Sequence, residues 1–349
     1  MVHRGGGSPH LPPLSAFRYG RCFTSIPLSF GDRQSILSPS TPQRPEERTG
    51  LHIPRRGGDR PHKGPPHPGS SQVYNGKRPE SLRIFPHKSL SQHFLVNPHI
   101  ARRIVEAAEL CRSDFALEIG PGKGALTGLL LERAGKVVAV EIDPELCSIL
   151  RQRFGRDRKF QLIEGDILQV DLGPLVSEGR WVVVANLPYR ITTPVLFRLT
   201  EHCEKFERAV VMIQREVARR ITASPGIKDY GMLSVMLSLD ARPEYLFEVR
   251  PGNFHPRPKV TSAVVRLDFT RPYYPQPEDR EIFRKLVWAA FGVRRKMLRN
   301  ALRSLAPPKT LREASEKAGV DLSLRAEQVP LEGFVRLADA LRSSLCEAP

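Results

Sequence analysis

Four consecutive residues, Asn186–Leu187–Pro188–Tyr189, put a carboxamide, a proline and a flat phenolic ring side by side. Core packing has no use for such a set. Proline lacks an N–H and holds its predecessor extended, and tyrosine supplies an apolar face with a polar tip. The group could grip a planar base bearing an exocyclic amine. The Asn186 side-chain oxygen and a carbonyl of Leu187 or Pro188 would accept from the NH2 while Tyr189 stacks on the ring. A second constellation lies upstream. Gly120–Pro121–Gly122–Lys123–Gly124 lets backbone N–H groups approach a ligand, and Glu141, about 20 residues on, suits ribose hydroxyls. Asp166 adds an acceptor for the amino group of a cofactor's adenine. By itself a G-x-G-x-G loop serves NAD, FAD or S-adenosylmethionine equally well.

These groups need a scaffold, and the pattern around them supplies one. Val182–Val183–Val184 reads as a strand buried on both faces, ending at Asn186. Phe115–Ile119, Val137–Val140, Phe160–Ile163 and Ala209–Ile213 are further strands, each bringing its chemistry to its carboxyl end. Helices are predicted after Asn97–Pro98, over 125–133, 193–201, 215–221 and 233–239. Strand–helix alternation with short loops means a doubly wound α/β sheet. Two more apolar strands, Tyr245–Val249 and Ser262–Phe269, flank a proline-rich loop expected to hold Phe254 outward. Beyond Pro277 only helical periodicity remains, with a basic run at Arg294, Arg295, Lys296, Arg299 and Arg303 suited to phosphate contacts.

A net charge of +17 and a pI near 10.1 favour a polyanionic partner, nucleic acid before anionic membrane. No apolar run reaches the roughly 18 residues of a membrane span. Cys22, Cys111, Cys147, Cys203 and Cys346 are scattered without C-x-x-C spacing. That pattern argues against a zinc site or disulfide framework and for a reducing compartment. Residues 1–85 are rich in Gly, Pro, Arg and Ser and lack periodicity, so they are expected to be disordered. Three accounts compete for them: a basic RNA-contacting tail, an organelle transit sequence, or translation from too early a start.

The ordered set Gln92–His93–Phe94–Leu95, Glu118–Ile119–Gly120–Pro121–Gly122, Glu141–Ile142–Asp143, Gly165–Asp166, Asn186–Leu187–Pro188–Tyr189 and Phe254–His255–Pro256–Arg257–Pro258–Lys259–Val260 resembles the rRNA adenine N6,N6-dimethyltransferase family. Phe291 to Asn300 (FGVRRKMLRN) and Arg325–Ala326–Glu327–Gln328 are similar to its small-subunit, KsgA/RsmA-type branch. The resemblance spans about residues 86–341. It implies a class I S-adenosylmethionine-dependent methyltransferase fold, Rossmann-like and seven-stranded with an antiparallel last strand, over 86–274. A helical RNA-binding domain would occupy 275–349.

By the same resemblance His93, Leu95, Gly120, Gly122, Glu141, Asp166 and Asn186 would line the S-adenosylmethionine site. His93 stands where most members carry Asn, so a backbone contact would survive there and a side-chain carbonyl contact would not. Asn186, Leu187, Pro188, Tyr189 and Phe254 would hold the target adenine, and Arg294, Arg295, Lys296 and Arg299 the RNA. The implied function is dimethylation of two adjacent adenosines near the 3′ end of small-subunit rRNA, with a role in subunit biogenesis. The implied partner is small-subunit rRNA or its assembling particle, with no metal and no membrane, and the protein acting as a monomer. The compartment would be the bacterial-type cytoplasm, or a plastid or mitochondrion if residues 1–85 are a transit sequence. The rivals are a large-subunit methyltransferase of the macrolide-resistance type, a non-catalytic assembly or transcription factor, and an NAD-dependent oxidoreductase. The last leaves Asn186–Tyr189 unexplained.

Overall fold

The structure, a computed structural model, describes residues 92–293 and 296–346. The expectations for residues 1–85, Arg294 and Arg295 lie outside the described residues. In chain order the elements are β1 (Phe94–Leu95), α1 (Pro98–Ala107), β2 (Phe115–Ile119), α2 (Thr127–Arg133), β3 (Lys136–Glu141), α3 (Pro144–Phe154) and β4 (Phe160–Glu164). Then follow α4 (Leu172–Leu175), β5 (Trp181–Asn186), α5 (Thr192–Glu201), β6 (Phe206–Gln214), α6 (Arg215–Ile221), α7 (Met232–Asp240) and β7 (Arg242–Val249). The chain continues through β8 (Phe254–His255), β9 (Ser262–Asp268), α8 (Arg280–Gly292), α9 (Leu298–Ala301), α10 (Pro308–Ala318) and α11 (Leu331–Cys346).

Seven strands form one sheet in the order β4-β3-β2-β5-β6-β9-β7. β2 to β6 run parallel, and β9 enters antiparallel between β6 and β7. The order reverses between β2 and β5. That switch point opens a crevice outside the strand ends, where open α/β sheets bind ligands. Helices cover both faces, which explains the unbroken apolar strands. Val183 and Ala185 join one core layer with Leu117 and Val211, while Val182 and Val184 join the other with Ala116 and Val210. All three valines are fully buried, and each contributes about 1.5–3 kcal/mol relative to exposure. Pro243 sits in β7, the edge strand, where a missing N–H is tolerated.

α1 begins as its sequence predicts: the Asn97 side chain accepts from the His99 N–H, and Pro98 takes the first helical position. The same device opens α3, where Asp143 accepts from the Glu145 and Leu146 N–H groups ahead of Pro144. No helix is predicted after Asp143, although Asp-Pro carries the same signal as Asn-Pro. α2 starts at Thr127 instead of Ala125 because the turn after Gly124 runs on through Leu126. The helices beyond Pro277 have their own core, built around Phe283, Leu286, Leu298 and Phe334, into which α7 sends Val235, Met236 and Leu239.

Candidate active site

The glycine loop follows β2 and needs its glycines: Gly120, Gly122 and Gly124 have φ of +66°, +59° and +78°. A Cβ on Gly122 would stand 3.2 Å from the Phe94 ring, and one on Gly120 4.0 Å from Pro188 Cδ. The loop is therefore wedged between β1 and the Asn186–Tyr189 corner. Glu141 closes it from the next strand, its Oε2 accepting from the Gly122 N–H (3.0 Å) and its Oε1 from the Ile142 (3.0 Å) and Asp143 (3.1 Å) N–H groups. Burial raises its pKa above the usual carboxylate value against the pull of these three bonds. A carboxylate offers about four acceptor positions, so one remains for a ligand hydroxyl. Asp166 lies beyond β4, next to Gly165, whose N–H bonds the Glu141 carbonyl. Its Oδ1 accepts from the Leu168 N–H, and the side chain is half-buried.

Two contributors escaped the sequence analysis. Glu118, two residues before the loop, is 1% exposed. Its Oε2 accepts from the Thr127 hydroxyl at 2.7 Å, while Oε1 has no partner among the described residues. Burial, with a smaller push from the charge of Glu141, lifts its pKa to about 8. An acid at the buried end of a strand was the available signal. Ile142, between Glu141 and Asp143, is 47% exposed and offers an apolar wall for a flat ring.

Across the switch point, the Asn186 amide nitrogen donates to the backbone carbonyl of His93 at 3.1 Å. A carbonyl only accepts, so this contact fixes which end of the carboxamide is which and leaves Oδ1 as an acceptor without a partner among the described residues. Leu187 is buried, with its side chain in the core. The Pro188 carbonyl accepts from the Ile191 N–H (3.1 Å) and the Thr192 hydroxyl (3.3 Å), which occupies both lone pairs. Tyr189 is half-buried, and its hydroxyl shares a 2.7 Å hydrogen bond with fully buried Ser262, a partner the sequence analysis did not identify.

One expectation needs correction. Phe254 is not held outward. β8 pairs antiparallel with β1, setting Leu95 opposite Phe254, and both side chains enter the core at 7% and 5% exposure. The prolines stiffen the loop after Phe254, but strand pairing decides where its ring goes. Leu95 accordingly faces core, and only its backbone could meet a ligand. The His93 side chain turns to the Pro256 carbonyl, 2.8 Å from Nδ1, and not to the glycine loop. Of the basic run, Lys296, Arg299 and Arg303 are exposed. Met297 bridges Arg325, joining the two C-terminal motifs. Trp288, on the helix leading to that run, is 51% exposed.

The site fits a cationic adenosine cofactor: a left-handed glycine turn, acids at two strand ends, and a buried carboxyl oxygen of Glu118 without a partner among the described residues. This sheet order, with the loop and the Asn186 corner sharing one crevice, defines a class I S-adenosylmethionine-dependent methyltransferase. Residues 86–343 match the ribosomal RNA adenine dimethylase family. The chain belongs to that family and is an rRNA methyltransferase. It is 43% identical over 272 residues to "Ribosomal RNA small subunit methyltransferase A" of Geobacter metallireducens, covering 76% of this chain and 98% of that one. The dimethyladenosine transferase of Plasmodium falciparum superposes with a TM-score of 0.62 at 27% identity, over 70% of this chain and 96% of that one. The 23S rRNA methyltransferase ErmE gives 0.56 at 30% identity, over 71% and 99%.

Two site predictions follow from the acids. Glu141→Gln keeps an oxygen for the Ile142 and Asp143 N–H groups but turns an NH2 toward the Gly122 N–H. S-adenosylmethionine affinity should fall about tenfold or more by calorimetry, and unchanged affinity would remove Glu141 from the site. Glu118 keeps its proton in the folded protein to about pH 8, while the unfolded chain ionises near 4.5. The unfolded state binds fewer protons between those values, so stability falls as pH rises through that window. Glu118→Gln retains the Thr127 bond and has no such slope. Its Tm advantage over wild type should widen from about pH 5 to about pH 8; a constant gap would discount the linkage.

Proposed function

We propose that this protein transfers two methyl groups from S-adenosylmethionine to the N6 amine of each of two adjacent adenosines, in a loop near the 3′ end of small-subunit rRNA, during subunit assembly. The observation that carries the chemistry is the Asn186 carboxamide, fixed by the His93 carbonyl so that Oδ1 stands ready to accept from N6–H. With both lone pairs of the Pro188 carbonyl occupied, the second acceptor is the Leu187 carbonyl. Two acceptors below the amine favour a pyramidal nitrogen whose lone pair is released from the ring, and they stabilise the positive charge that grows on it. Bound S-adenosylmethionine supplies an activated methyl on a sulfonium. The N6 lone pair forms the new N–C bond, the C–S pair stays on sulfur, and N6 sheds a proton to water. No acid or metal is required, only alignment.

Tyr189 stacks on the adenine, which must leave its own stack to reach the crevice. The monomethylated amine re-enters with its methyl turned away for the second transfer. Small-subunit rRNA is favoured over large-subunit rRNA because the named curated relatives are small-subunit enzymes and the C-terminal motifs pack together. One copy of the chain carries all the site groups, which supports action as a monomer. The compartment is that of its ribosome: bacterial-type cytoplasm, or an organelle if residues 1–85 direct import.

Exposed Lys296 and Arg299 contact RNA phosphates. Changing both to Ala should weaken subunit binding and reduce the salt slope by roughly one to two units, without altering cofactor affinity. An unchanged slope would place these residues outside the RNA surface. The reaction itself is tested with labelled S-adenosylmethionine and unmethylated small subunits, followed by mapping of dimethyladenosine. Label confined to large-subunit rRNA, or monomethyladenosine as the sole product, would overturn the assignment.

A further inference from the structure

α8 buries Phe283, Leu286, Val287 and Ala290 and leaves Trp288 outside. At about 100° per residue, Trp288 falls roughly 150° from the centre of that buried stripe. It stays 51% exposed, whereas Phe291, three residues on, packs inward on Tyr230 and Phe334. Side chains on a helix lean toward its N-terminus, so the far flank of the indole is covered only by what stands a turn later. That residue is Gly292, and a Cβ built there would meet nothing within 4 Å. The open flank faces the basic segment. The Lys296 N–H reaches back to the Val293 carbonyl at 3.4 Å, and Leu298 enters the same core as Leu286, which keeps exposed Lys296 and Arg299 beside the end of α8. We propose that Trp288 is a stacking platform for an unpaired base of the substrate rRNA, next to the phosphates that Lys296 and Arg299 hold. The proposal rests on the rRNA-methylation reading but assigns a contact outside the methyl-transfer crevice.

A single exposed apolar side chain is ordinary on a protein surface. A wide flat ring with an open flank, set beside cations on a chain of net charge +17, is the combination that single-strand binders use. The ring accepts the face of any base, and the cations follow the backbone. A continuous duplex hides its base faces, so the strand lying here is unpaired or ends in an unstacked base. Other occupants fit less well. A membrane-bound helix needs a broad apolar stripe, but the neighbours of Trp288 on the solvent face are Glu281 and Lys285, paired with each other at 2.7 Å. A stable protein interface needs about 800 Å² per partner with an apolar centre. The next exposed apolar side chains along the chain are only Val293 and Met297, at 40% and 39%.

The chain has two tryptophans, and Trp181 is 1% exposed within the sheet, so an RNA-dependent change in intrinsic fluorescence reports Trp288. Titrating the full chain with single-stranded oligoadenylate should quench that emission. A blunt RNA duplex with the same number of phosphates should leave it largely unchanged. Trp288→Ala should bind the single strand about fivefold or more weakly and keep the wild-type salt slope, because no phosphate contact is lost. Trp288→Phe keeps a ring and should bind within about threefold of wild type, with no RNA-dependent emission change from Trp181. Cofactor affinity and Tm should stay close to wild type in both variants. Wild-type affinity of Trp288→Ala for the single strand overturns the proposal, and so does equal quenching by the duplex. Emission that shifts with protein concentration alone would assign the face to a second copy, and quenching by intact small subunits but not by their free rRNA would assign it to a ribosomal protein. Either result overturns the proposal. If Trp288→Ala fails to fold, the comparison of strand with duplex on the wild type decides. A wild-type chain that shows the quench yet methylates no small subunit overturns the substrate assignment and leaves the stacking site standing.

Discussion

Asn186→Ala slows single-turnover methyl transfer by on the order of a hundredfold or more while RNA affinity changes by no more than a few-fold. The bond from N6–H to Oδ1 strengthens as positive charge develops on nitrogen, so its loss falls mainly on the transition state. The ground state loses only a neutral hydrogen bond, worth about 0.5–1.5 kcal/mol. The substitution also strips the His93 carbonyl of its Asn186 donor, so a small drop in Tm accompanies the slowing. Asn186→Asp is no milder. It replaces the NH2 that meets the His93 carbonyl with a second acceptor, and the two oxygens repel. Measured at saturating cofactor and subunits, a folded Asn186→Ala variant with wild-type rate would reduce the Asn186–Tyr189 stretch to a turn.

Tyr189→Ala acts on capture as well as turnover. Removing a stacking ring costs roughly 1–3 kcal/mol per base in single-strand binders, and here it also removes the partner of the His93 ring. Subunit affinity and single-turnover rate should both fall, each by about tenfold or more. Tyr189→Phe makes the comparison informative. It keeps the ring but leaves the buried Ser262 hydroxyl without its 2.7 Å partner, at about 1–3 kcal/mol of stability. A lower Tm with near-normal capture is expected for Phe, and poor capture for Ala. Equal capture by the two variants would show that the ring does not stack on the base.

Much of this molecule is local in origin, and local features are legible in a sequence. Val182–Val184 announce a strand covered on both faces because three β-branched residues in a row suit nothing else as well. Asn97–Pro98 announces a helix start because the cap and the missing N–H act within one turn. Gly120, Gly122 and Gly124 mark a loop whose backbone is closed to other residues, and the acids after β3 and β4 follow from strand ends. The residue types at Asn186 and Tyr189 define their chemistry before any partner is known.

What the sequence leaves open depends on segments about 90 to 160 residues apart. Phe94–Leu95 and Phe254–His255 are too short to read as strands, and they become a ladder only because the sheet order brings them together. That pairing turns Phe254 and Leu95 inward and brings the His93 imidazole to Pro256. The orientation of the Asn186 amide and the unpartnered oxygen of Glu118 are likewise products of packing. Periodicity and caps are properties of neighbours along the chain. Hydrogen-bond partners and burial are properties of neighbours in space, and only the folded sheet assigns those.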